Sequence, residues 1–129
     1  MAKILIVEDN ALNIKLFCDL LAAHGHEPQA VTDSRQALDA ARDFAPELVI
    51  TDIQLPHVSG LELIRMLRKD EKLGAVPIMA VTAYASAGDE ERIRTAGAEA
   101  YVTKPISVAR FVAEVDALLA PNKEPASAE

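Results

Sequence analysis

Five short candidate strands, four of them apolar runs and most followed by a stretch with helically spaced apolar residues, constrain this chain more than any other feature. They are Lys3–Val7, Glu27–Val31, Leu48–Asp52, Pro77–Val81 and Ala100–Val102. Most are rich in Val and Ile without clean alternation, the pattern of strands buried on both faces of a parallel sheet. Glu27–Val31 is the weakest of them. A first helix is predicted over 10–24, where Leu12, Leu16, Phe17, Leu20 and Leu21 recur before Gly25 stops it. A second, capped by Asp33 or Ser34, carries Ala37, Leu38, Ala41 and Phe44 and ends at Pro46. A third follows the loop at 56–60 with Leu61, Ile64 and Leu67 inward. A fourth spans about 86–96 and closes at Gly97. The last starts at Ser107 and turns Val108, Phe111, Val112, Val115 and Leu119 to the sheet.

A strand–helix repeat of roughly 25 residues gives one compact βα unit per repeat. Right-handed crossovers and coverage of both sheet faces then predict an α/β, doubly wound (βα)5 sheet of order 2-1-3-4-5. One domain over residues 1–120 is expected, with a polar tail at 121–129 that is disordered and too short for an output domain. In that strand order the first and third strands are neighbours at the topological switch point, where ligands of such sheets gather beyond the carboxyl ends. Glu8 and Asp9 therefore come beside Asp52, with Thr82 and Lys104 on the same rim.

Composition narrows what that rim can serve. A net charge of −7 disfavours nucleic acid and anionic membrane as partners. The low aromatic content removes a base-stacking platform. No apolar run is long enough to span a membrane, no basic stretch followed by a hydrophobic segment argues for secretion, and the single Cys18 suits a reducing cytoplasm. Three converging carboxylates repel one another, and a hard divalent cation with oxygen ligands relieves the repulsion. Mg²⁺ fits best because it also binds phosphate oxygens. With it, Asp52 can attack phosphorus and form an acyl phosphate. Lys104 and Thr82 can then stabilise the transferring oxygens. Taken singly, Asp9 reads as a helix cap, Thr82 as a strand-end hydroxyl and Lys104 as a solvated side chain. Their co-occurrence at the ends of different strands favours the site.

The stretches ILIVEDN, VITDIQLPHVSGLELI, PIMAVTA and YVTKPIS closely resemble receiver domains of bacterial two-component response regulators, to about Leu119. That resemblance implies the flavodoxin-like receiver fold. It implies Asp52 as phosphoacceptor from a phosphohistidine on a histidine kinase or phosphotransfer protein. It also implies Mg²⁺ held by Asp9, Asp52 and the Gln54 backbone carbonyl, with Glu8 reaching it through water. Thr82 and Lys104 would contact the phosphoryl group, Tyr101 would be the aromatic switch partner of Thr82, and Lys104–Pro105 would be cis. Gln54 and Tyr84 would flank the path of attacking water and tune phosphate lifetime, a bulky Tyr84 slowing hydrolysis. Helices one and five would dock the phosphodonor, and the face of helix four, strand five and helix five would report the state to a downstream protein. The stretches NALNIKLFCDLL and KPISVARFVAEV are similar to stand-alone DivK-type regulators of cell division and polarity.

The resemblance therefore implies a cytoplasmic, non-enzymatic signalling protein that acts by protein–protein contact, or a phosphate shuttle or sink in a phosphorelay. An aspartate-nucleophile phosphatase would need an acid where Gln54 stands, and a flavin binder a Gly- and hydroxyl-rich loop where Glu8-Asp9-Asn10 stands. A receiver that had lost phosphorylation would lack part of the residue set. The fourth helix carries only Ile93 as a large apolar residue and is expected to be weakly anchored, together with the loop 84–88. His24, His26 and His57 lack metal-ligand spacing, Cys18, Met66 and Met79 read as packing residues, and Asp89 to Arg92 as a solvated helix start.

Overall fold

The computed structural model describes residues 2–83 and 87–119. Tyr84 and the tail expected at 121–129 lie outside the described residues. In chain order the elements are β1 (Lys3–Val7), α1 (Ala11–Ala23), β2 (Glu27–Val31), a 3₁₀ turn (Ser34–Gln36), α2 (Ala37–Phe44), β3 (Leu48–Asp52), α3 (Gly60–Lys69), β4 (Ile78–Thr82), α4 (Ala87–Ala96), β5 (Ala100–Thr103) and α5 (Val108–Leu119). The strands form one sheet in the order β2-β1-β3-β4-β5, and every pairing is parallel. The predicted topology is observed. Strands β4 and β5 each run one residue further than their sequence pattern suggests, to Thr82 and Thr103.

The sheet is covered on both faces, which is why the inner strands β1, β3 and β4 read as nearly continuous apolar runs, whereas the edge strand β2 is half-exposed. Alternate residues of one strand feed different layers: Leu5, Val7 and Val49 pack with α2, α3 and α4, while Ile4, Ile6 and Ile50 pack with α1 and α5. In the second layer Phe17 and Phe111 stack at 5.2 Å between ring centroids, tying α1 to α5. Helix faces depart from the sequence reading where an apolar stripe is wider than the sheet beneath it. Phe17 and Leu21 are buried, but Leu12 is 79% exposed and Leu16 faces outward too. Met66 and Val108, expected to pack, are exposed, whereas Leu63 is fully buried beside Ile64 and Leu67.

Local chemistry fixes the helix ends. Asn10, not Asp9, caps α1 by accepting from the Asn13 amide, which removes the capping reading of Asp9. Ser59 and Glu62 form a reciprocal capping box at the start of α3. Asp33 caps the 3₁₀ turn by accepting from the Arg35 amide; α2 itself starts after Gln36 without a side-chain cap, so neither Asp33 nor Ser34 caps that helix, because the 3₁₀ turn stands between them and it. At the end of the sheet opposite the acidic rim, Arg68 donates to the carbonyls of Gly97, Gly74 and Val76 and pairs with Glu99. Glu99 also accepts from the Ile78 amide, so one guanidinium joins α3, the start of β4 and the α4–β5 turn.

Candidate functional site

The register of the sheet brings the site together. Val7 lies opposite Thr51, Asp52 opposite Val81, and Thr82 opposite Thr103, so residues at the strand ends emerge on one rim. Glu8 follows β1 and continues its ladder, its amide donating to Val31 O. Its side chain is buried, and Oε2 accepts from the Asn10 amide at 3.1 Å. Oε1 is a buried oxygen with no hydrogen-bond partner among the described residues. Lys104 Nζ sits 3.5 Å from it as an ion pair without hydrogen-bond geometry.

Asp52 ends β3 and is 6% exposed. Its Oδ1 accepts from the Gln54 amide at 3.1 Å, and its Oδ2 accepts from Lys104 Nζ at 2.8 Å. Lys104 is thus a paired group of the site and not a solvated side chain. Its own amide donates to Thr82 O at 2.8 Å, and the Lys104–Pro105 peptide is cis, as expected. Thr82 is buried at the end of β4. Asp9 is exposed, and Glu8, Asp9 and Asp52 offer carboxylate oxygens that all lie within 4.8 Å of one another.

Burial, then the neighbouring Asp52 charge, pushes the Glu8 pKa up from its ordinary value, against the Asn10 amide and Lys104. For Lys104, burial is the largest influence and pulls downward, but Asp52 and Glu8 together outweigh it and hold the ammonium charged. The donor set is all oxygen, it carries excess negative charge, and one buried oxygen has no hydrogen bond, only the 3.5 Å ion pair with Lys104. Those features fit Mg²⁺, for which Glu8, Asp9 and Asp52 would be the protein's acidic donors.

Several contributors were not visible in the sequence. Gly60 opens α3 where a Cβ would lie 2.2 Å from Asp52 O and 2.6 Å from Ile53 Cα, so only glycine lets the helix start press against the end of β3. Its placement directly after the Ser59 cap was the available signal. Ser34 reaches the β3–α3 loop from the β2–α2 junction, and nothing in its local sequence announces that contact. Tyr101 is half-buried, donates its hydroxyl to Glu90 Oε1 at 3.0 Å and lies under the Arg94 guanidinium. Glu90 therefore does more than solvate a helix start: Arg94 and Tyr101 hold its carboxyl below the usual range. His24 contacts Leu20 O through a ring nitrogen, and His26 Nδ1 accepts from the Ala2 amide.

Residues 4–116 match the family described as response regulator receiver domain. A curated relative, the polar-differentiation response regulator DivK of Brucella ovis, is 53% identical over 116 residues, covering 90% of this chain and 94% of that protein. Among solved structures, the receiver domain of sensor histidine kinase PA1611 from Pseudomonas aeruginosa, with a magnesium ion coordinated in its active-site cleft, is 31% identical. Its TM-score is 0.84, over 92% of this chain and 97% of that one. The chemotaxis protein CheY4 of Vibrio cholerae shares the fold with a TM-score of 0.87 at 24% identity, over 92% of this chain and 99% of that one.

Proposed function

The chain belongs to the response regulator receiver domain family, and from that premise we propose that it carries signals through a phosphoryl group taken up on Asp52. The carrying observation is the pairing of Lys104 Nζ with Asp52 Oδ2 at 2.8 Å beside three clustered carboxylates on the carboxyl rim of the sheet. The donor is a phosphohistidine on a histidine kinase or phosphotransfer protein. A carboxylate oxygen of Asp52 attacks phosphorus, the P–N bond breaks, the imidazole leaves with the bond's electrons, and an acyl phosphate forms. The Gln54 amide orients Asp52 through Oδ1. Lys104 moves its charge from the carboxylate to the transferring phosphoryl oxygens, and the Thr82 hydroxyl donates to one of them. Asp9, Asp52 and the Gln54 carbonyl, with Glu8 through water, would hold Mg²⁺, which would supply charge neutralisation at the phosphoryl oxygens.

Readout passes through Thr82 and Tyr101. In this structure the Tyr101 hydroxyl is held by Glu90 on α4, so inward rotation of the ring would release that helix from β5. The described residues contain no helix long and apolar enough to cross a membrane, in keeping with a cytoplasmic protein. By its likeness to the Brucella DivK proteins, the downstream role is control of cell polarity and division by contact with a protein target. The chain turns over no substrate beyond its own phosphorylation and dephosphorylation. Incubation with Mg²⁺ and a small acyl phosphate, read by intact mass, should add one phosphoryl group to the wild type and none to Asp52→Ala. Equal uptake by both proteins, or uptake by neither, refutes the assignment.

A further inference from the structure

We infer that Ser34 is a positioning residue for Asp52, acting through the loop that follows β3; the inference rests on the phosphoryl-transfer reading above. Ser34 sits at the β2–α2 junction, on a different part of the chain from the site, and is 2% exposed. Its hydroxyl is fully committed to the β3–α3 loop: Oγ donates to Pro56 O at 2.7 Å and accepts from the Val58 amide at 3.1 Å. Capping the 3₁₀ turn does not occupy it, because Asp33 accepts from the Arg35 amide instead. The two backbone groups that Ser34 bridges flank His57, whose φ of 71° lies in the left-handed region that non-glycine residues adopt uncommonly.

The loop so clipped is short and closed. At its far end the Gly60 amide donates to Ile53 O at 2.9 Å, and the absence of a Cβ at Gly60 lets that end lie against Asp52 O. At its near end the Gln54 amide donates to Asp52 Oδ1. Residues 53–60 therefore link the Ser34 hydroxyl to one oxygen of the phosphoacceptor through backbone alone. Removing the hydroxyl leaves Pro56 O and the Val58 amide without their partner. The turn at His57 can then relax, and the Gln54 amide and carbonyl move with it. A shift of a fraction of an ångström at a metal- and phosphoryl-binding carboxylate is enough to slow chemistry.

The experiment uses the full chain and two readouts. Isothermal titration with MgCl₂, without any phosphodonor, measures metal affinity; intact mass against time with a small acyl phosphate at saturating Mg²⁺ measures phosphorylation. Ser34→Ala and Ser34→Gly should each weaken Mg²⁺ binding and slow phosphorylation by about 10-fold, the low end of the range for outer-shell partners, and the Gln54 amide resonance should shift. Ser34→Thr, which keeps the hydroxyl, should restore both. Phe17→Leu, a core change on the opposite face of the sheet, should lower the Tm without moving either readout. Should Ser34→Ala and Ser34→Gly match the wild type in both, or should Phe17→Leu lose as much, the positioning role is overturned while the phosphoryl-transfer reading stands. A wild type that takes up neither Mg²⁺ nor phosphoryl overturns both.

Discussion

Replacing Glu8 with glutamine should stabilise the metal-free protein at neutral pH and blunt its response to magnesium. Glu8 is buried, Asp52 repels it, and its Oε1 has no hydrogen bond. A buried acceptor left in that state costs about 1–3 kcal/mol. Glutamine is nearly isosteric and uncharged, keeps one oxygen for the Asn10 amide, puts an amide N–H₂ beside the Asp52 carboxylate in place of a repelling oxygen, and gives up the 3.5 Å pairing with Lys104. The expected gain is therefore at the low end, about 1 kcal/mol, or about 3–6 °C in Tm for a domain of this size. Its pH dependence follows from proton linkage. Burial first, and Asp52 second, raise the Glu8 pKa above 4.5. Between 4.5 and that raised value the folded state holds more protons than the unfolded one, so wild-type stability falls as pH rises through the window. Well below 4.5 the carboxyl is protonated in both states, and this part of the margin between wild type and variant closes. Magnesium opposes the ranking. At ten times Kd it stabilises the wild type by about 1.4 kcal/mol, whereas a variant with tenfold weaker affinity gains about 0.4 kcal/mol at the same concentration. Urea unfolding followed by far-UV circular dichroism, in chelator and in MgCl₂ at neutral and acidic pH, measures each quantity. A variant less stable than wild type in chelator at neutral pH, or one that gains as much from magnesium, would refute the reasoning.

Arg68→Ala removes the guanidinium that holds three backbone carbonyls and Glu99; a loss of about 2–4 kcal/mol in urea unfolding is expected, and a loss under 0.5 kcal/mol would mean that water replaces those bonds freely. Gly60→Ala places a methyl group on Asp52 O and Ile53 Cα. Displacing that backbone should cost about 3 kcal/mol or more and slow Asp52 phosphorylation, while near-wild-type values for both would show that α3 can withdraw at no cost. Helix α4 buries only Ile93 and Ala96 among its described side chains, against four buried residues in α3. Amide hydrogen exchange should therefore be faster in α4 than in α3 and α5; equal protection would contradict weak anchoring.

Much of this protein was legible in its residue order. The five runs, their spacing and the handedness of βα crossovers were enough for the sheet order, because a parallel sheet buried on both faces admits few connections. That order in turn gathers Glu8, Asp9, Asp52, Thr82 and Lys104 on one rim. The ends of helices were less legible, since a cap depends on which polar side chain turns back and on where the helix begins: Asn10 and not Asp9 caps α1, while Asp33 caps a 3₁₀ turn and α2 has no side-chain cap. Which leucines of α1 are covered also depended on the width of the sheet beneath, which no periodicity encodes.

The sequence by itself determined the architecture and the identity of the groups at the rim, because hydrophobic period and strand order are local or combinatorial properties. Only the tertiary structure decided how those groups are held: Lys104 on Asp52, a Glu8 oxygen buried without a hydrogen bond, Tyr101 tied to Glu90, and Ser34 clasping the loop 24 residues further along the chain. Each of these contacts depends on distances between segments far apart in the chain. Hydrogen bonds and charge pairs sense differences of a few tenths of an ångström, a precision that packing supplies and composition does not.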